Sequence, residues 1–299
     1  RAEDGRRDTS VTGVQTCALP ISSSFAFKGK NEDIKGIGEQ LDVETVLEGS
    51  VRKADTKLRI TAQLIDVDSG YHLWSETYDR EFTDIFAIQD EISASIVAAL
   101  AVHFDGVAVA APKSTQGDVR AYEEYLLGRE RILLRTTADI EAAERHFKQA
   151  IEIDPDYAPA WAGRSDAIML LSDMNGSYGT MPVRFALELA QPMVERALAL
   201  DPELPDAHRA MGRILQDQGD FEGAVASDTK ATDLRPSSPI AWMWKASALE
   251  NLDRWGEAHD AIDAAHRYDP RSAVVLSNMA SLARDAGDVA KMKRVAAKA

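Results

Sequence analysis

The residues of this chain whose types could do chemistry are scattered along it rather than grouped. His72, His103, His146, His208, His259 and His266 have no HExxH spacing and no cysteine partner, so no zinc-type ligand set can be read from them. His259 and His266 share one helix face, and a solvated face explains the pair. Gly36-Ile37-Gly38 lacks the third glycine and the strand-to-helix context of a dinucleotide cradle, and reads as part of a helix. Lys28-Gly29-Lys30 lacks the GxxxxGKS/T spacing that wraps a phosphate. Asp66 and Asp68 could face a cation, but a turn ending at Gly70 between two strands accounts for them. Asn175-Gly176-Ser177 has the form of a glycosylation acceptor and reads as a loop. No GxSxG elbow is present, and no histidine stands at a readable spacing from a nucleophile. Trp74 and Tyr78 share a face in an extended chain, with core packing as the first reading and a small-ligand platform as the second. The expectation is therefore no catalytic residues, no metal ligands and no cofactor.

Charge narrows the partners. The net charge of −15 over 299 residues repels nucleic-acid phosphates, and no basic stripe offsets it. The longest apolar run, Ile96 to Val102, falls short of the roughly 18 to 20 residues a membrane span needs. The single cysteine, Cys17, lies in Val11 to Ile21, VTGVQTCALPI, which resembles the in-frame translation of a sequencing-library adapter. The preceding RAEDGRRD resembles its continuation. On that resemblance residues 1–22 are expected to be a disordered artefact, to be left out of fold reasoning. The net charge stays at −15 without residues 1–21, because Arg1, Arg6 and Arg7 balance Glu3, Asp4 and Asp8. No cysteine then remains, so disulfides are excluded.

Two kinds of periodicity follow. Between residues 23 and 104, Leu58, Ile60, Ala62 and Leu64 alternate with Arg59, Thr61 and Gln63, the period of a half-buried strand. Turn signals at 54–56 and 68–70 flank it, so residues 43–53 and 71–78 should pair with it as a three-stranded antiparallel meander. Helical patterns over Asn31 to Leu41 and Thr83 to Phe104 bracket the sheet. The second starts at Thr83 as N-cap and carries the stripe Ile85, Ile88, Ile92, Ile96 and Leu100. The predicted unit is an α+β domain with its helices on one sheet face. Residues 105–118 read as a linker.

The second period is 34 residues, marked by Pro202, Pro236 and Pro270. With each proline as position 32, position 20 is Ala143, Ala190, Ala224 and Ala258, and position 27 is Ala150, Ala197, Ala231 and Ala265. Small residues at both places let two helix backbones approach. Position 4 holds Trp161 and Trp242, expected in the core, and Phe147 stands at position 24. Residues 119–299 thus resemble a tetratricopeptide (TPR) array of about four and a half repeats, an all-α solenoid following the α+β domain. Pro155 and Pro202 are 47 residues apart, 13 more than the period, and the surplus falls in Ser172 to Val183, read as a loop with a lengthened preceding helix. Gly287 would open the second helix of a fifth unit cut short at Ala299, so a truncated C-terminus is expected.

SSFAFKGK, VLEGSV, LWSETYDR and DIFAIQDEI give residues 23 to about 104 a second resemblance, to the α/β domain of the TolB amino-terminal and FlgO-like families. In bacteria that domain precedes TPR arrays in proteins carrying a class III adenylate cyclase, a winged-helix regulator or a kinase. Its first strand and helix are missing here, so the segment is expected to begin inside its domain and to show an unpaired sheet edge.

The concave groove of such an array is lined by first-helix positions. They map to Asp166, then Arg209, Arg213 and Gln216, then Met243, Ser247 and Glu250, the candidate partner-binding residues. Arg209 and Arg213 lie one helical turn apart, placed to grip a carboxylate or phosphate, with solvated surface as the competing reading. Reversing both charges is expected to abolish partner capture with helicity unchanged. Met174, Tyr178 and Met181 in the surplus loop form a second candidate contact. The expected function is a non-catalytic scaffold binding a protein or peptide, or contacting an effector domain of its own longer chain. The alternatives are the regulatory part of a class III adenylate cyclase and the sensor part of a winged-helix regulator. The expected location is the cytoplasm, or else the periplasmic side of a membrane-anchored protein.

Overall fold

The computed structural model describes residues 9–14, 27, 33–41, 43–54, 57–81, 85–103, 118–174 and 177–285. The chain divides into two compact units, one of residues 1–115 with 266–276, the other of 116–265 with 277–298. Lys28-Gly29-Lys30, the Thr83 cap, most of the 105–118 linker, Asn175-Gly176 and the Gly287 helix fall outside the described residues.

The first unit is built on strands β1 (Thr9–Val14), β2 (Thr45–Ala54), β3 (Lys57–Asp66) and β4 (His72–Glu81), antiparallel in the order β1-β2-β3-β4. The meander β2-β3-β4 is the expected one. Leu47 sits opposite Leu64 and Leu64 opposite Trp74, while the exposed side chains of Arg59 and Asp79 pair across the strands at 2.7 Å. At the β3–β4 turn the Asp66 carboxylate accepts from the Ser69 amide at 2.8 Å, and Gly70 takes φ 69°, which explains the acidic turn without a cation.

Disorder over 1–22 does not hold for β1. Thr9 lies opposite Val51 and Val14 opposite Val46, so this segment occupies the β2 edge expected to be bare. An open edge presents unpaired amides and carbonyls, and a segment as β-branched as TSVTGV can satisfy them whatever its origin.

Helices α1 (Ile34–Leu41) and α2 (Ile85–His103) complete this unit. Ile37 and Leu41 of α1 cluster with Phe27, Val46 and Val67. The tight spot is Gly38, where a Cβ would stand 2.3 Å from the Val67 Cγ1, so this GxG serves helix packing. α2 meets β4 instead through the Arg80–Glu91 ion pair, and Ile88 is buried. Val46 and Tyr78 have opposite parity through their partners Ile65 and Ile60, so the helices flank both sheet faces rather than one. Leu64 and Ile65, adjacent in β3 and thus on opposite faces, are both buried, as that requires. Tyr78 is a core residue and Trp74 is half-buried.

The second unit is a row of helical hairpins. Its first helices are α3 (Val119–Leu133), α5 (Ala158–Leu170), α7 (Pro205–Asp217), α9 (Pro239–Asn251) and, from residue 277, α11 (Ala273–Asp285); its second helices are α4 (Thr137–Ile153), α6 (Val183–Leu200), α8 (Phe221–Leu234) and, to residue 265, α10 (Trp255–Tyr268). Asp118, Thr136, Asp220 and Ser238 cap α3, α4, α8 and α9 through side-chain oxygens, and Pro205 and Pro239 open α7 and α9 where no amide partner is needed. All eight alanines at positions 20 and 27 are 0% exposed, as close helix crossing demands. The surplus is a loop, but the helix it lengthens is the following one: α5 has 13 residues like α7 and α9, whereas α6 has 18 against 14 in α8.

Trp161 and Trp242 are half-buried rather than core. Each indole N–H donates to a proline carbonyl six residues back, Trp161 to Pro155 at 2.9 Å and Trp242 to Pro236 at 2.7 Å. His208, also at position 4, reaches the Pro202 carbonyl at 2.8 Å. Three repeats thus satisfy the carbonyl of the proline that follows the preceding helix in the same way.

Candidate functional site

Successive first helices pack on one another, α3 on α5, α5 on α7 and α7 on α9, so their side chains meet on one inner face. The structure brings the candidate residues together there, but largely with each other. Arg209 of α7 donates from both Nη atoms to Asp166 of α5, one bond at 3.0 Å, with the two side chains only 11% and 19% exposed. Gln216 donates from Nε2 to the Ser247 Oγ of α9 at 2.8 Å.

Arg213 is 8% exposed. Its guanidinium lies 5.0 Å from the ring centre of Trp244, and Nη2 donates to the Met169 carbonyl and the Ser177 Oγ, both at 3.3 Å. Its carboxylate neighbour is Asp217, at 3.7 Å. Burial pushes the Arg213 guanidinium down and the Asp217 carboxyl up, so their attraction does not offset the loss of water. Neither arginine is therefore held open for a foreign carboxylate or phosphate. Reversing both charges would set a glutamate against Asp166 and bury another beside Asp217, so the expected unchanged helicity does not follow.

Met243, Ser247 and Glu250 line a small cleft with Ala246, Ile262, Asn278 and Leu282 at the other end of the inner face. Its volume of about 10 Å³ has room for about one water. The loop residues Met174, Tyr178 and Met181 are half-buried rather than exposed. Tyr178 packs on the core of the first hairpin, around Tyr125, Phe147 and Tyr157, and Met181 packs on the core of the second.

Four further groups were not singled out from the sequence. Arg129 of α3 donates to the Tyr125 hydroxyl at 2.9 Å. Asp206 accepts from Arg235 at 2.9 Å; burial would raise its carboxyl, but Arg235, Arg209 and Arg129 outweigh that and hold it below the usual range. Asp217 is the ion-pair partner of Arg213 at 3.7 Å. Asp228 of α8 is 0% exposed with neither oxygen hydrogen-bonded, and burial pushes its carboxyl well above the ordinary value. The repeat frame does signal Asp228: it stands at position 24, where the other hairpins have Phe147, Val194 and Ile262. Among the described residues no three His, Cys, Asp or Glu side chains are grouped to hold a metal ion, and no helix is long and apolar enough to cross a membrane.

Family models described as tetratricopeptide repeat match residues 132–157, 187–239 and 209–273. The chain is 37% identical over 209 residues to a Rhizobium meliloti (strain 1021) protein named "Putative adenylate cyclase 3"; the match takes in 69% of this chain and spans 35% of that protein's length. Among solved structures, Pseudomonas aeruginosa pilF is 18% identical with a TM-score of 0.46, over 60% of this chain and 75% of that one. A thermophilic TPR protein of Thermus thermophilus is 17% identical with a TM-score of 0.45, over 66% of this chain and 97% of that one. The chain carries tetratricopeptide repeats, a fold of the protein-interaction type.

Proposed function

We propose that the repeat array is a docking module whose inner face receives a polypeptide segment and passes that occupancy to an effector, in the same longer chain or in a partner. The observation that supports docking is the recurrence of side chains from consecutive repeats on one inner face. Nothing in that face assembles a nucleophile, base and oxyanion donor among the described residues, and we assign this segment no reaction of its own.

The effector we favour is an adenylate cyclase domain, on the single ground of the 37% identity to the Rhizobium meliloti protein. A winged-helix regulator has no comparable support. The α+β unit would stand between effector and array, as the TolB amino-terminal and FlgO-like resemblance implies.

Two measurements test this. The first selects phage-displayed peptides on the chain; an enriched consensus that binds the chain and is lost with Ser247→Lys at unchanged helicity supports docking, and no consensus sinks it. The second compares cyclic AMP synthesis by the full-length gene product with and without residues 119–299. A changed rate supports coupling to a cyclase, and equal rates, or none from either, remove that effector.

A further inference from the structure

The helices of the other hairpins are joined by residues 134–136, 218–220 and 252–254, whereas the second hairpin uses 171–182. Closing the hairpin does not need that length, yet the described part of the surplus does not wander into solvent. The Tyr178 amide donates to the Leu170 carbonyl at 2.8 Å and the Met181 amide to the Leu171 carbonyl at 3.1 Å, while Ser172 and Met181 bridge as neighbouring strands do. Gly179 lies so flat on the end of α5 that a Cβ would stand 1.9 Å from the Leu171 carbonyl oxygen.

Three repeats hold this segment. Thr137 of the first hairpin donates to the Tyr178 carbonyl, and the Tyr178 ring packs on that hairpin's core. From the third, Arg213 reaches Ser177. The Ser177 hydroxyl and Arg213 share the Met169 carbonyl, at 3.2 Å and 3.3 Å. The grip is incomplete, however. Both Arg213 bonds are at the long end of the hydrogen-bond range, and Arg213 Nε stands 3.7 Å from Asp217 Oδ2, an ion pair too long to be a hydrogen bond.

We infer that Ser177–Met181 is a resident occupant of a peptide site on the inner face, and that the partner of this array is an uncharged segment of the same chemistry, serine or threonine, then an aromatic residue, then glycine. This rests on the docking reading above. In such a site the hydroxyl answers Arg213, the ring enters the notch at the first hairpin, and glycine alone fits against Leu171. An incoming segment displaces the resident one and can bond the Arg213 guanidinium at shorter range than the 3.3 Å the resident achieves.

The test uses a fluorescein-labelled peptide of residues 172–183 on the full chain. The unmodified chain should bind it weakly, because its own segment competes at an effective concentration of about millimolar order. Gly179→Ala should expel the resident segment and tighten binding about tenfold or more. Adding Arg213→Lys, or changing the peptide's Ser177, Tyr178 or Gly179 to alanine, should reverse that gain. Equal binding of a scrambled peptide, or no binding to a Gly179→Ala chain that keeps its helicity, overturns the proposal. Should Gly179→Ala fail to fold, amide exchange on the unmodified chain decides. Tyr178 and Met181 amides that exchange well before the α4 and α8 cores support a displaceable segment, and exchange only with those cores overturns it. If this peptide fails while a phage-selected consensus still binds in a Ser247-dependent way, the site is wrong and docking stands; if both fail, so does docking.

Discussion

Asp228→Val should make the array more stable, although it removes a charged residue type from a chain that has many. The carboxyl is fully buried in α8, neither oxygen is hydrogen-bonded, and the charged groups that bear on it are Arg209 of α7 and Lys245 of α9. The Gly212 backbone closes the other side, where a Cβ would stand 2.5 Å from Oδ1. Valine has nearly the same shape and is the residue at the equivalent position of the second hairpin, Val194. Replacing an unsatisfied buried polar group recovers about 1–3 kcal/mol. The added apolar surface contributes about 1 kcal/mol more, for a gain of about 2–4 kcal/mol in all.

The pH dependence supplies the sharper test. The folded carboxyl titrates well above the unfolded value of about 3.9, so the folded state binds the proton more tightly. That contribution is fully present below about pH 3.9 and is lost as pH rises through the folded value. The advantage of Asp228→Val should therefore be smallest near pH 4, grow as pH rises, and level off above the folded pKa. Urea unfolding followed by circular dichroism at several pH values reads both quantities. Asp228→Asn should abolish the slope without the full gain, and Ile262→Asp should place the same fault in the fourth hairpin and cost about 3–5 kcal/mol. An unchanged or lowered midpoint for Asp228→Val, or a gap that does not vary with pH, would refute the reasoning.

Arg209→Ala leaves the mostly buried Asp166 carboxylate unpaired and should lower stability by about 3 kcal/mol, whereas Arg209→Met with Asp166→Leu should cost much less; chemical denaturation of the two variants checks this. Gly38→Ala drives a methyl into Val67 and should cost the first unit about 1–3 kcal/mol, recovered in part by Val67→Ala, as thermal melts of single and double variants will show. Trp242→Phe keeps the ring but orphans the Pro236 carbonyl and should cost about 1 kcal/mol, with faster amide exchange confined to the start of α9.

What could be read in the chain, and what could not, divides by the range of the interaction. The alanines at positions 20 and 27 were legible because a helix crossing constrains residue size directly, so a 34-residue period in one residue type carries the hairpin geometry with it. The inner face was legible too, since Arg209 and Arg213 must share a side of α7. Their occupancy was not. It depends on Asp166, which is 43 residues from Arg209, and on Ser177, which is 36 from Arg213. A loop's composition says that it turns, not that it folds back onto another repeat. For the same reason the β2 edge was expected to be bare, whereas it pairs with Thr9–Val14. An edge accepts backbone, and backbone carries no sequence signature. Asp228 falls between these cases. Its position in the repeat was countable from the prolines, but a carboxylate in a slot of Phe, Val and Ile reads as an error until burial without partners shows it to be a weak point. Local rules fail there because the cost sits in a contact the residue does not make.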